Sequence, residues 1–442
     1  MNKTIVFKPN RIFNQEGRKF LYSVEDSALF EIDDKLEQVM ELSGHTAQDM
    51  LSELVMVKKM DPEEVKNMIR MIAEAGLIED SDIEKRENKI ELSAITLMVC
   101  QECNMKCAYC YGECGEYNNK GKMSLETAIK AVDYLIENST DDKLGISFLG
   151  GEPLMNFELI KKVIEYCGEK SKETGKQFAY TITTNGTLLT KEKEEFLIAN
   201  KVKLQISIDG TKKAHDSMRY FENKKPSYDV VVEKTKNLRE KGLVTARATL
   251  SPANLDYVKT FEHLDELGFA GVPIAPAKNL LDEVDRKKEY IEFMKYADYF
   301  KQQVKDRNID KVNKMTEFTK ALEKIDNAGK REYGCGAFHR MYAVDIDGCL
   351  YPCHRFVGLP EFCVGSIYDE QRREVEKWLY VDERSKCSKC WLKNLCGGGC
   401  AYENYVQTGS INVASTDFCK HMNLLFKTAI SAYIDNNYIS VG

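Results

Sequence analysis

No stretch of this 442-residue sequence approaches the roughly 18 apolar residues of a membrane span, and its start, MNKTIVFKPNRIF, lacks the apolar core of a signal peptide. A cytoplasmic location without membrane contact is expected. Basic charge is not in surplus either: 63 Lys and Arg face 70 Asp and Glu, a net charge of −7, which argues against nonspecific nucleic-acid binding. No internal repeat or low-complexity tract is evident, so solenoids and disordered tails are not expected. The length exceeds one ordinary core, and two or three domains are expected.

What the sequence does hold is cysteine. Fifteen cysteines in a reducing compartment point to metal binding or redox chemistry rather than structural disulfides. They cluster. Cys100, Cys103, Cys107, Cys110 and Cys114 form one group, Cys167 stands alone, and nine fall between Cys335 and Cys419.

Residues 1–80 read as a small α+β unit. Short β-like runs (Thr4 to Phe7, Phe20 to Val24, Ala28 to Ile32) precede helical patterns at Lys35 to Glu41, Ala47 to Val57 and Asp61 to Ala75, an order that resembles a winged helix. Glu79 to Lys89, with eight charged residues in eleven, reads as a linker. Over 91–283, strand-like runs at Ala94, Gly145, Phe178, Lys203, Thr245 and Gly271 alternate with helices near 124–137, 157–174, 191–199, 228–241 and 255–267. Repeated βα units imply an α/β fold with a parallel sheet, here a partial (β/α)6 TIM barrel whose functional residues lie on the loops after the strands. Residues 284–330 read as a bridging helical segment. The Cys- and Gly-rich tail, 331–442, shows little periodicity, so metal ligation is expected to fix its shape.

The first cysteine group falls after the first barrel strand, as Cys103-x3-Cys107-x2-Cys110. A [4Fe-4S] cluster takes one thiolate per iron, so three thiols leave one iron open. Zinc is the rival, with Cys100 or Cys114 as a fourth ligand. After the second strand comes Gly150-Gly151-Glu152-Pro153, where glycines let backbone approach a ligand and a carboxylate suits an ammonium group. Thr183-Thr184-Asn185-Gly186 and Ser207-Ile208-Asp209-Gly210 follow the third and fourth strands, then His215, Asp216 and Arg219. Each alone is ordinary turn chemistry. In this order they ring one ligand.

CxxxCxxC with an aromatic before the third Cys, then GGEP, TTNG and SIDG, resembles the radical S-adenosylmethionine (SAM) enzymes. The resemblance implies that Cys103, Cys107 and Cys110 bind a cluster whose open iron chelates SAM. It implies further that Tyr109, Gly150, Gly151, Glu152, Pro153, Thr184, Asn185, Ser207, Asp209 and Arg219 line the SAM site, with GGEP at the amino group. Electron transfer into SAM then yields a 5′-deoxyadenosyl radical, and oxygen sensitivity is expected.

The tail, Cys335-x12-Gly348-x4-Cys353, then Cys387-x2-Cys390-x5-Cys396-x3-Cys400-x18-Cys419, would suit zinc knuckles. The seven-cysteine spacing resembles the SPASM domain with two auxiliary [4Fe-4S] clusters. By that resemblance Cys387, Cys390, Cys396 and Cys419 hold the distal cluster, and Cys335, Cys353 and Cys400 the proximal one. Either Cys349 completes the proximal set or an iron there stays open. Cys167 and Cys363 read as packing or loop residues.

The N-terminal unit resembles the RiPP recognition element, which takes up leader peptides by β-augmentation. Together the resemblances imply a peptide maturase forming thioether crosslinks of the sactipeptide or ranthipeptide type, with three [4Fe-4S] clusters, SAM, a precursor peptide and a ferredoxin or flavodoxin donor. A carbon-carbon crosslinking maturase, an anaerobic sulfatase-maturing enzyme and a zinc-bearing peptide-binding protein are the alternatives. His215, His339, Asp345 and Asp347 are candidate general bases by position.

Overall fold

The computed structural model describes residues 4–79, 92–369 and 371–439. The stretch read as a linker lies outside the described residues beyond Glu79.

Six strands, β1 (Ala94–Gln101), β2 (Lys143–Gly150), β3 (Gln177–Thr184), β4 (Lys203–Ser207), β5 (Val244–Leu250) and β6 (Ile274–Pro276), run parallel in the order β6-β5-β4-β3-β2-β1. Helices α1 (Leu125–Glu137), α2 (Phe157–Thr174), α3 (Lys191–Ala199), α4 (Tyr228–Glu240) and α5 (Tyr257–Glu266) make the crossovers. These bounds follow the sequence expectation because each element carries its own signal. Ser124, Thr190 and Asp256 accept from the amides of Thr127, Lys193 and Lys259 and start α1, α3 and α5. Gly175 closes α2 in the left-handed conformation, φ +76°.

Burial alternates along the strands. Val244, Ala246, Ala248 and Leu250 of β5 are buried, whereas Thr245, Arg247 and Thr249 between them are only half-buried. On β3, Ala179 and Thr181 are exposed although strands flank it on both sides. An interior strand is exposed only where one face of its sheet is uncovered, so the barrel has an open lumen, lined by polar side chains such as Ser147 and Thr181, 2.7 Å apart.

Two parts of the Cys-rich tail, a strand and a long helix, were not anticipated. β7 (Met341–Val344), from the Cys-rich tail, pairs with β1 as a seventh parallel strand and continues into antiparallel Cys349–Tyr351 and Gly365–Ser366. Four residues are too few to show a period. The bridging segment forms α6 (Glu283–Lys305) and α7 (Thr316–Asp326), and the chain ends in α8 (Thr416–Ile439), which packs on both and buries Phe426, Ala429 and Ile430.

In the N-terminal unit the strands are Asn10–Gln15, Arg18–Ser23 and Ala28–Ile32, an antiparallel meander, followed by helices Asp34–Glu41, Ala47–Ser52 and Pro62–Glu74. The expected strand at Thr4 shrinks to Thr4–Ile5, paired with His45–Thr46, and polar Asn10–Gln15 takes its place in the sheet. The middle strand serves two cores: Leu21 packs with Val39, Met50 and Ile72, while Phe20 and Tyr22 join the barrel's core. Trp391 of the tail lies between Phe13 and Tyr22, and Asn394 donates to Val24 O at 2.7 Å, which docks this unit on the cysteine-rich region.

Candidate functional site

The cysteine loop leaves β1 and is held on two sides. Met105–Cys107 pairs antiparallel with Arg219–Phe221, Cys107 opposite Arg219, and the amide of Ala108 donates to Met218 O at 2.9 Å. This ribbon, whose strands have three residues each, brings the Arg219 guanidinium 3.7 Å from the Cys107 thiol. On the other side, the amides of Gly151 and Glu152 donate to the carbonyls of Cys100 and Glu102 at 2.7 and 2.8 Å. A Cβ on Gly150 would stand 2.1 Å from Cys100 O, and one on Gly151 2.3 Å from Glu102 O. Glycine is therefore required at both positions by the close approach of the cysteine loop. Cys100, set aside in sequence, supplies one of the anchoring carbonyls.

Glu152 is fully buried and fully engaged. One carboxylate oxygen accepts from Leu154 N at 3.0 Å and Thr184 Oγ1 at 2.6 Å, the other from Asn185 N at 2.8 Å. Burial pushes its carboxyl up, against the lowering by these three donors. Asn185 in turn donates to Asn104 at 2.9 Å, tying the turn after β3 to the cysteine loop. Pro153, also buried, opens the short helical turn Pro153–Asn156 that Glu152 caps.

Asp209 gathers a second network. One oxygen accepts from Thr249 N at 2.9 Å; the other accepts from Arg219 Nε at 2.9 Å and from Tyr109 OH. The Arg219 guanidinium also lies over the Tyr109 ring, 5.0 Å from its centroid. Asp209 and Arg219 thus face each other rather than standing free. Ser207, at the end of β4, is in register with Arg247 of β5. Arg247 makes no side-chain hydrogen bond or ion pair among the described residues, and burial lowers its pKa. A charged residue amid the small residues of "TARAT" was a signal that the sequence reading passed over.

Residues 97–264, which contain all of this, match the model of the Radical SAM superfamily. This part of the chain is a radical SAM domain. Enzymes of this superfamily use a [4Fe-4S] cluster and SAM. Among curated relatives, the cysteine-type anaerobic sulfatase-maturating enzyme of Clostridium novyi is 24% identical over 77% of this chain and 96% of its own length. The antilisterial bacteriocin subtilosin biosynthesis protein AlbA of Bacillus subtilis is 25% identical over 82% of each. The solved structure of native anSMEcpe with bound AdoMet and Cp18Cys peptide shares the fold, with TM-score 0.65, 21% identity, and coverage of 78% of this chain and 99% of that one.

The donor set of the radical SAM domain suits a cluster. Burial and Glu152 push the Cys103 thiol up to about 12, with Cys107 and Cys110 close enough to add to the effect. The Cys103 thiol therefore stays protonated without metal, and iron would have to displace its proton. Among the described residues no three His, Cys, Asp or Glu side chains converge on a single ion-sized point. A cubane is ligated at separate iron corners rather than at one point.

In the tail the thiols fall into two sets. Burial pushes Cys353 up to about 12, with Cys400 and Cys335 adding to it. Burial likewise pushes Cys396 up to about 11, with Cys387 and Cys390 contributing, and Cys419 is raised by burial and by Cys390. Cys349 belongs to neither set. It begins the strand after β7 with its thiol against Cys363, and burial, Asp345 and Cys363 push it up to about 12. A tight turn held by Asp345, which accepts from Cys349 N at 2.8 Å, precedes it, and Cys363 is the thiol nearest to it in effect.

The candidate bases are structural. His215 is buried with Nδ1 3.3 Å from Asp209 N and Nε2 2.9 Å from Ser227 Oγ, and burial lowers it to about 4. Asp345 caps its own turn, Asp347 accepts from Asn119 at 2.7 Å, and His339 stacks on Tyr333. One further group emerged only from the fold. Arg355 pairs with Glu403 and lies 4.4 Å from the Tyr402 ring centroid and 5.2 Å from that of Tyr111, the neighbour of Cys110. It links the two cysteine regions across some 245 residues of chain.

Proposed function

We propose that this radical SAM enzyme matures a ribosomally made precursor peptide, joining a cysteine sulfur to a carbon of the same peptide as a thioether. The tail thiols support the reading: Cys353 feels Cys400 and Cys335, Cys396 feels Cys387 and Cys390, Cys419 feels Cys390, and Cys349 feels Cys363 instead. Peptide handling is supported by the Cp18Cys peptide bound to anSMEcpe and by the bacteriocin role in the name of AlbA. The N-terminal sheet adds support. Ala28–Ile32 pairs with a strand on one side only among the described residues, which suits a leader peptide added as a further strand.

In this reading Cys103, Cys107 and Cys110 hold the SAM-cleaving cluster, Cys387, Cys390, Cys396 and Cys419 the distal auxiliary cluster, and Cys335, Cys353 and Cys400 the proximal one, with a position left over. When bound, and supplied by a low-potential ferredoxin or flavodoxin, these cofactors provide the electron that splits SAM into methionine and a hydrogen-abstracting 5′-deoxyadenosyl radical. The chain's own residues orient and enclose. Glu152, Asn185 and the glycines fix the cysteine loop, and Asp209 holds Arg219 and Tyr109 against it. Ser207 and Arg247, half-buried at the end of β4 and on β5, offer a hydroxyl and a guanidinium that suit the polar groups of SAM.

The test is anaerobic turnover with candidate cysteine-bearing precursors. Product lighter by two hydrogens per link, with the linked cysteines resistant to alkylation, is expected. Deoxyadenosine without that mass change, or linked peptide whose thiols all alkylate, would overturn the thioether; an aldehyde at one residue would favour sulfatase maturation.

Metal content gives an independent check. Reconstituted protein is expected to hold about twelve irons, falling by about four in Cys335→Ala and unchanged in Cys349→Ala. Equal losses in both variants would return Cys349 to the ligand set.

A further inference from the structure

A second concavity, away from the Cys103–Cys110 loop but reaching Cys335, lies between the outside of the barrel and the tail. It has a volume of about 980 Å³ and runs from Leu92 and Tyr134 to Trp378 and Tyr380. In a chain of net charge −7, its walls carry six cations, Lys330, Arg331, Arg340, Arg372, Arg373 and Lys377, against two carboxylates, Glu332 and Glu376. Some of these cations are spoken for: Arg340 pairs with Asp141 at 2.7 Å and Arg372 donates to Tyr134 OH at 2.7 Å. Lys330, Arg373 and Lys377 are exposed and have no side-chain hydrogen bond or ion pair among the described residues.

Between the cations sits an aromatic wall. Tyr333 lies 5.3 Å from Trp378 and 3.9 Å from His339, centroid to centroid. The indole N–H of Trp378 and Nδ1 of His339 are buried and have no hydrogen-bond partner among the described residues. An indole N–H can only donate, and a buried donor left unpaired is costly. Cations, an orphan donor and ring faces together suit a ligand that brings carboxylates and apolar side chains on one flexible chain.

The groove also adjoins the N-terminal unit. Residue 329 receives the Ser27 hydroxyl at 3.5 Å, and Arg331 N donates to Asn394 O, whose side chain holds Val24. These contacts put the end of the N-terminal sheet beside the groove.

We infer that this groove binds an acidic, aromatic-bearing segment of peptide, as a docking surface separate from the radical SAM lumen. The choice of a peptide as occupant rests on the maturase reading above. The groove's charge and shape do not.

The test is binding by the full chain, read by fluorescence anisotropy with a fluorescein-labelled twelve-residue peptide of three Glu-Tyr-Glu-Gly repeats. Wild type is expected to bind it and not the Lys-for-Glu version. Arg373→Glu combined with Lys377→Glu is expected to weaken binding about tenfold or more, because two attractions become repulsions. The milder Arg373→Ala with Lys377→Ala, whose changes are confined to exposed side chains, should show an intermediate loss and guards against misfolding of the reversal. Hydrogen exchange should slow in 331–342 and 372–380 when the peptide is present. Absence of binding, binding indifferent to both variants, or equally tight and equally charge-dependent binding of oligothymidylate would overturn the inference. Since none of these readouts involves turnover, failure here would leave the maturase reading standing, and a failed maturation assay would leave the groove standing.

Discussion

Asp209→Asn is expected to destabilise the protein by about 3–5 kcal/mol, the usual result of leaving one member of a buried ion pair without its partner. Asp209 is 2% exposed and Arg219 8%. Asparagine retains an oxygen for the Thr249 amide but turns an NH2 group toward Arg219 Nε, itself a donor. Arg219 Nε then stays buried without its oxygen acceptor, and the guanidinium keeps only the Cys107 sulfur. Arg219 is also the ribbon residue opposite Cys107, so the loss reaches the cysteine loop. A displacement there of about 1 Å costs roughly a hundredfold in rate, and deoxyadenosine formation is expected to fall by that much. Chemical denaturation of Asp209→Asn, Arg219→Met and the double variant makes the check. The double should recover part of the loss, because no charge is left alone; strictly additive losses would show that the pair does not act as a unit.

A graded response is expected at Glu152. Glu152→Gln keeps the oxygen that serves Leu154 and Thr184 and forfeits only the acceptor for the Asn185 amide, so about 1–3 kcal/mol is lost. Glu152→Ala strands all three donors in a site with no exposure and should lose about twice as much or more. SAM cleavage should follow the same order, since Asn185 is the link from the β3 turn to the cysteine loop. If Glu152 met SAM directly instead, both variants would lose SAM binding equally, with stability little changed in Glu152→Gln. Thermal denaturation beside SAM titration separates the two outcomes.

Much of the barrel was legible because its signals are local. A strand announces itself by a short apolar run and a helix by a capped period of 3.6, and both are read within a dozen residues. The motif residues were legible for the same reason, as loops following those strands. Their mutual roles were not. Each of Glu152, Asp209 and Arg219 is a charged residue in a loop, and only the fold shows Asp209 pairing with Arg219 and Glu152 accepting from Thr184 and two backbone amides. Such pairings join positions tens of residues apart, and nothing in either neighbourhood specifies the partner.

Taken alone, the sequence determined that the chain is an α/β protein with three thiols after its first barrel strand and a second, cysteine-rich region near its end. Spacing of apolar residues and cysteines along the chain is enough for that. Only the tertiary structure decided that Cys349 lies with Cys363, that β7 from the tail completes the barrel's edge, that Arg355 joins the two cysteine regions and that a basic groove opens beside them. Each depends on which surfaces meet when distant segments pack, and packing is a property of the whole chain rather than of any stretch of it.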